Sequence, residues 1–234
     1  MKPKPYAGPL SISNYWGKHT GEDIYVVGTG TSLENFDFSH LKGKITIGLN
    51  AAIKYLPLTY HLYSDTQLFR QYLKLKFSSG TVIVCQNTVA KNAKETKYDK
   101  CKFKDQLRVF HHTSRAKGIT KEDNGLFVNS TVATGGLMMA YKLGAKRIFI
   151  MGVDGYCYKD KYYLDGSQKP NNKNRKHEVV KGKIIQDRHT NWDKQMSELK
   201  VWFDEQKFEN VFNLNPLSEI KAWQKVPPEE VFNE

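Results

Sequence analysis

The chain has 234 residues, of which 39% are hydrophobic, and a formal charge of +12 from 36 Lys and Arg against 24 Asp and Glu. That length suits one sizeable domain, the apolar content excludes a wholly disordered chain, and no apolar run approaches the roughly 18 residues that cross a bilayer. The charge points to a polyanionic partner: nucleic acid, an anionic membrane face or a phosphorylated glycan. Cys85, Cys101 and Cys157 are widely spaced, with no C-x-x-C pair, so neither a zinc site nor a disulfide framework is indicated and buried thiols are expected. The basic residues of positions 1–9 have no apolar stretch behind them, which predicts no secretory signal and a cytoplasmic protein.

Short apolar runs alternate with helical stretches along the chain. The pattern predicts a single Rossmann-like α/β domain over residues 1–234, with a mostly parallel sheet. Strands are expected at 23–27, 44–48, 60–63, 81–85, 108–111, 147–151 and 210–214. The first is followed by Gly28-Thr29-Gly30-Thr31-Ser32-Leu33. Its two glycines allow a tight turn and close approach to a phosphate or ribose, with backbone amides and hydroxyls as donors. The third glycine of the dinucleotide fingerprint is absent, and no Walker lysine follows, so a glycine-rich turn without ligand is the competing reading. Further along, Asn129 to Gly136 leads into a helix expected at 134–143 with Gly144 as its C-terminal cap. Small hydroxyl residues at a helix start suit an anion, although capping and close packing explain them equally well.

Met151-Gly152-Val153-Asp154-Gly155-Tyr156 ends a strand, where ligands bind in open α/β sheets. Asp154 can hold a ribose or cap a turn. Tyr156, Tyr158, Tyr162 and Tyr163 follow, and phenols beside a leaving phosphate stabilise its charge; packing is the alternative for at least two of them. Residues 159–183 show no regular period and carry eight Lys and Arg against three Asp and Glu, which predicts a basic, mobile lid loop. His189 lies between that loop and a helix expected at 192–206, with Thr190 or Asn191 as N-cap. Trp192, Met196, Leu199 and Phe203 form that helix's apolar face. A histidine there can act as general base, although a lone histidine is more often a surface or capping residue. His111 and His112 sit at a strand end with no evident partner. No D-x-D pair and no H-E-x-x-H occurs, so no metal is expected.

Taken in order, these motifs resemble the family 42 glycosyltransferases, the bacterial lipooligosaccharide sialyltransferases. The Gly28 to Leu33 stretch is similar to that family's G-N-G-P-S-L opening, and Leu49-Asn50 to its strand-end asparagine. Ala133-Thr134-Gly135 is similar to its T-S-G segment, the Arg147 to Asp154 run to its E-I-Y-L-S-G-I-D strand, and Asn213 to Ser218 to its C-P-N-S stretch. The resemblance covers most of residues 22–220 but is thin between motifs. It implies a GT-A-like variant of the Rossmann-like fold, a nucleotide-sugar donor, inversion without metal or other cofactor, and a lid at 165–183. It also implies His189 as general base, with Tyr156 and Tyr162 on the leaving phosphate. Donor-binding positions would be Gly28, Thr29, Gly30, Thr31, Ser32, Asn50, Ser64, Asp65, Thr134, Gly135 and Asp154.

The departures matter. The family's arginine before T-S-G is Thr131 here, and its donor-contacting asparagine aligns with Ser64, followed by Asp65. A lost cation and a gained carboxylate disfavour an acidic sugar and favour a neutral one on a pyrimidine nucleotide. For the acceptor, the basic side chains Lys173, Arg175, Lys176 and Arg188 suit an anionic polymer, with hydroxymethylated DNA the first expectation and a lipooligosaccharide the second. A weaker similarity is to pterin pyrophosphokinase-like proteins, which implies ATP and a divalent ion. The remaining alternative is a non-catalytic nucleic-acid-binding domain. The oligomeric state is left open by the sequence.

Overall fold

The computed structural model describes residues 11–64, 80–86, 104–128, 131–158, 163–164, 177–180 and 183–233. Its main sheet has nine strands, all pairs parallel: β1 (Asp23–Val27), β2 (Ile45–Leu49), β3 (Tyr60–Tyr63), β4 (Val82–Gln86), β5 (Leu107–Thr113), β6 (Gly125–Phe127), β7 (Arg147–Met151), β11 (Val211–Asn213) and β12 (Gln224–Lys225). Their order is β12-β11-β7-β1-β2-β3-β4-β5-β6. The chain therefore builds outward from β1 on one side, then returns to β7 and builds outward on the other. This is an α/β Rossmann-like fold, and its switch point lies between β1 and β7.

Alternation along the strands sorts the core into two layers. Ile24 and Val26 of β1, with Ile148 and Ile150 of β7, face helices α1 (Val132–Lys142) and α2 (Asp187–Glu205). Tyr25, Val27, Phe149 and Met151 face the opposite layer, made of short 3-10 turns and the C-terminal helix α3 (Glu229–Phe232). Register is pinned at the amino ends, where Arg147 forms a two-pronged ion pair with Asp23, its Nε 2.9 Å from Oδ1.

Helix α1 lies tight on the sheet because of two glycines. A Cβ on Gly135 would sit 2.5 Å from Val128 Cγ2, and one on Gly136 2.9 Å from Leu49 Cδ2. The helix ends in a Schellman cap: Gly144, at φ +97°, donates to Tyr141 O, and Ala145 donates to Ala140 O. Thr131 is the N-cap, its hydroxyl accepting from Ala133 N.

Four sequence expectations are corrected. Strands β6 and β12 were not expected; one is three residues long and the other two exposed polar residues. The stretch 159–183 is not wholly irregular. His177–Val180 (β9) pairs antiparallel with Lys183–Gln186 (β10), which also pairs with Cys157–Tyr158 (β8) in a separate three-stranded sheet. Helix α2 begins at Asp187, so neither Thr190 nor Asn191 is its N-cap. Arg188 and His189 consequently fall in its first turn rather than before it. The expected apolar face of α2 is inward: Met196, Leu199 and Phe203 are fully buried and Trp192 half-buried. Among the described residues, no helix is long and apolar enough to cross a membrane.

Candidate functional site at the switch point

The loops after β1 and β7 lie against each other and consume most of each other's polar groups. Gly28 N donates to Met151 O and Gly30 N to Gly152 O, both at 2.8 Å. A Cβ on Gly28 would strike the Gly152 carbonyl, and one on Gly30 the Asp154 carboxylate. Two glycines are thus required by loop-to-loop contact. Three amides of the Gly28–Ser32 stretch are also spoken for, because Ser32 N donates to Asp154 Oδ2 at 2.9 Å. A phosphate cradle made of those amides does not follow from this geometry.

Asp154 is the latch of this arrangement. It is buried; Oδ1 accepts from Ser32 Oγ at 2.5 Å and from Asn215 Nδ2 at 2.9 Å. Asn215 also reaches the hydroxyl of Tyr156 at 3.5 Å, which links the buried phenol to the same network. Ser218 Oγ donates to the Asp154 carbonyl at 3.0 Å, and Glu219 N to the same oxygen. The segment after β11 therefore braces the β7 loop. Sequence reading left Asn215 and Ser218 without a role, although the Asn213-Leu214-Asn215-Pro216 cluster is a turn signal.

Two polar atoms at this end of the sheet are left over, on the loops after β1 and β2. Thr31 Oγ1 and Asn50 Oδ1 are buried without a hydrogen-bond partner among the described residues. Asn50 closes β2 in the left-handed region, φ +48°, which asparagine tolerates better than most residues. Its carbonyl accepts from His61 Nε2 at 2.6 Å. His61 is fully buried on β3, its ring 4.1 Å from that of Tyr63. Desolvation pulls its pKa down to about 3 against the opposing pull of the Asn50 carbonyl, so the ring is neutral. Its position within an apolar strand was the signal that sequence reading passed over.

Tyr163 bridges Gly30, and Leu164 N donates to Thr29 O at 2.9 Å. Thr29 is buried beneath that contact. No protein-family model matches the sequence, and no curated protein matches it. A search of solved structures finds the MAf glycosyltransferase from Magnetospirillum magneticum AMB-1, at a TM-score of 0.56 and 13% identity, over 93% of this chain and 37% of that one. The fold is like that of a glycosyltransferase. The chain spans little more than a third of that protein's length.

Within this glycosyltransferase-like frame, Gly28, Thr29, Gly30, Thr31, Ser32, Asn50, Ser64, Asp154 and Tyr156 all follow carboxyl ends of β1, β2, β3 and β7. Ser64 is half-buried, its carbonyl accepting from Gln86 Nε2. Thr134 and Gly135 lie in the first turn of α1, where the neighbouring Gly136 packs on Leu49 at the end of β2; the Thr134 hydroxyl is fully buried and donates to Phe127 O at 2.7 Å. Asp65, Tyr162, Lys173, Arg175 and Lys176 lie outside the described residues, as do the side chains of Arg188 and His189. Among the described residues no group of three or more His, Cys, Asp and Glu converges as metal ligands do.

Proposed function

We propose that this protein is a single-domain, metal-independent glycosyltransferase that moves a sugar from a nucleotide-linked donor to a hydroxyl on an anionic acceptor. The observation that carries the proposal is the carboxyl end of the sheet at the switch point, where such folds open a ligand crevice: Asp154 braces the loops after β1 and β7, and Thr31 Oγ1 and Asn50 Oδ1 are left unpartnered among the described residues, in a glycosyltransferase-like fold. The order of motifs shared with the family 42 enzymes supports the same reading.

Thr31 and Asn50 bind the nucleotide portion, and its phosphate is turned toward Tyr156. The reaction inverts the anomeric centre. His189 takes the proton of the acceptor hydroxyl, that oxygen bonds to the anomeric carbon, and the carbon–oxygen bond to the phosphate breaks with its electron pair staying on the nucleotide. The phenols of Tyr156 and Tyr162 donate hydrogen bonds to the departing phosphate, which removes the need for a metal. The donor is a neutral sugar on a pyrimidine nucleotide. The acceptor is hydroxymethylated DNA, held by Lys173, Arg175, Lys176 and Arg188, while residues 159–183 cover the donor and exclude water.

The test is transfer from a panel of CMP- and UDP-sugars in EDTA, to hydroxymethylated DNA and to a lipooligosaccharide, with products weighed by mass spectrometry. DNA product is expected, falling at least a hundredfold in His189→Ala and about tenfold in Tyr156→Phe. Product on the glycan alone would replace the acceptor. Absence of turnover with every donor, or activity only after a divalent ion is restored, would overturn the assignment.

A further inference from the structure

A cavity of about 630 Å³ lies toward the β6 edge of the sheet, between β5, residues 114–124 and β6. Its position follows from an unusual strand. Residues 107–110 of β5 pair with β4, and residues 111–113 pair with β6, so the strand hands over from one neighbour to the next and leaves a recess. Four strand spacings separate β5 from β1, roughly 19 Å at the usual inter-strand distance, so this is not the donor crevice.

The basic residues of the lining are unengaged. His111, His112, Arg115 and Lys117 face the cavity, and among the described residues their side chains make no hydrogen bond or ion pair. The carboxylate in the wall, Asp123, is already satisfied. It accepts from Lys142 Nζ at 2.9 Å, from Gly125 N at 2.8 Å and from Thr120 N at 3.0 Å. Lys142 is fully buried and also bonds the Asp123 and Gly125 carbonyls. The wall therefore offers several donors and no free negative charge, which repels a metal cation and attracts an oxyanion.

The cavity is also preorganised. Trp16 Nε1 donates to Asp123 O at 2.8 Å, Trp202 Nε1 to Ile119 O at 3.1 Å, and Glu198 Oε1 accepts from Ala116 N at 2.9 Å. Anchors from the N-terminal segment, α1 and α2 thus fix a stretch that has no repeating structure of its own. Such fixing reduces the ordering cost of binding. Donors converging from several positions match a phosphate, with three or four acceptor oxygens, better than a carboxylate with two.

We propose that this cavity is a second binding site for a phosphate group, carried by a small molecule or by one nucleotide unit of a strand. The proposal is independent of the glycosyltransferase reading. The experiment titrates the full chain with orthophosphate by calorimetry and with a short thymidine oligonucleotide by anisotropy, comparing Arg115→Ala/Lys117→Ala with Lys42→Ala/Lys44→Ala. Both pairs remove the same charge, and all four side chains are exposed, so both proteins fold. The cavity pair is expected to lose at least tenfold in affinity, and its oligonucleotide salt slope to fall by about 1.4 for two lost contacts, while the control pair keeps both. Loss in both arms means that phosphate alone suffices, and loss in the oligonucleotide arm alone means that the nucleotide unit is needed. Equal effects of the two pairs, or no binding in either arm, would overturn the site. Donor turnover in Arg115→Ala/Lys117→Ala stays at its original rate, which separates this result from that on the donor crevice.

Discussion

Asp154 shows how much of a loop arrangement can hang on one carboxylate. Its oxygens receive the Ser32 amide, the Ser32 hydroxyl and the Asn215 amide, and these tie three separate loops together. Asp154→Ala strands the buried Asn215 amide and frees the Ser32 amide and hydroxyl, and should cost about 3 kcal/mol, against about 1 kcal/mol for Ser32→Ala. Urea unfolding of the two variants measures the difference, and equal losses would mean that Asp154 is not the hub. His61 gives a pH signature. Folding keeps it neutral down to about 3, whereas in the unfolded chain it takes up a proton near 6.5. Between those values the unfolded state binds more protons, so stability falls as pH drops from 6.5 toward 3. The slope approaches about 1.4 kcal/mol per pH unit. His61→Gln should flatten it, and a urea-midpoint series that keeps its slope would assign the proton to another group.

At the scale of elements, Gly135 sets two effects against each other. Replacing it with Ala improves helix propensity by about 1 kcal/mol, yet the added Cβ meets Val128 Cγ2 at 2.5 Å. Overpacking of that kind costs about 1–3 kcal/mol, so Gly135→Ala is expected to lower the melting temperature; a rise would mean that α1 can shift outward. Much at this scale was legible in the sequence. Asp23–Val27, Tyr60–Tyr63 and Arg147–Met151 match the expected strands residue for residue, because each is a short apolar run bounded by polar or glycine residues. Strand β12 was not legible, since Gln224 and Lys225 are exposed and owe their pairing to β11 alone. The start of α2 was placed too late because apolar periodicity begins only at Trp192, while the first turn is polar. In the crevice, Gly28, Gly30 and Asp154 stood out by spacing. Their mutual bonds did not, because β1 and β7 are brought together only by the fold.

At the scale of the whole molecule, the central pairing of the sheet joins residues 124 positions apart, as between Asp23 and Arg147. Such non-local contact predicts slow folding, with the switch point assembled late. The opposite layer is closed by the chain's other end. Phe232 stacks on Tyr25 at 5.6 Å and on His40 at 5.3 Å, and lies 5.5 Å from Phe36. Phe232→Ala should cost about 2 kcal/mol, a value below that for a fully buried ring because this one is half-exposed. Thermal unfolding reads the loss, and an unchanged midpoint would make α3 a passive appendage.

The bridge between Gly30 and Tyr163 has a consequence for how such a protein diversifies. Positions 165–176 join Leu164, held on the loop after β1, to His177, the first residue of β9, which pairs with β10 directly ahead of α2. Closing a span between two fixed points depends weakly on its length, about 0.6 kcal/mol per doubling. Those positions can therefore be rewritten, lengthened or exchanged as a cassette while the strands and the crevice stay as they are. On the proposed function, a lineage can change what it decorates without relearning how to handle its donor.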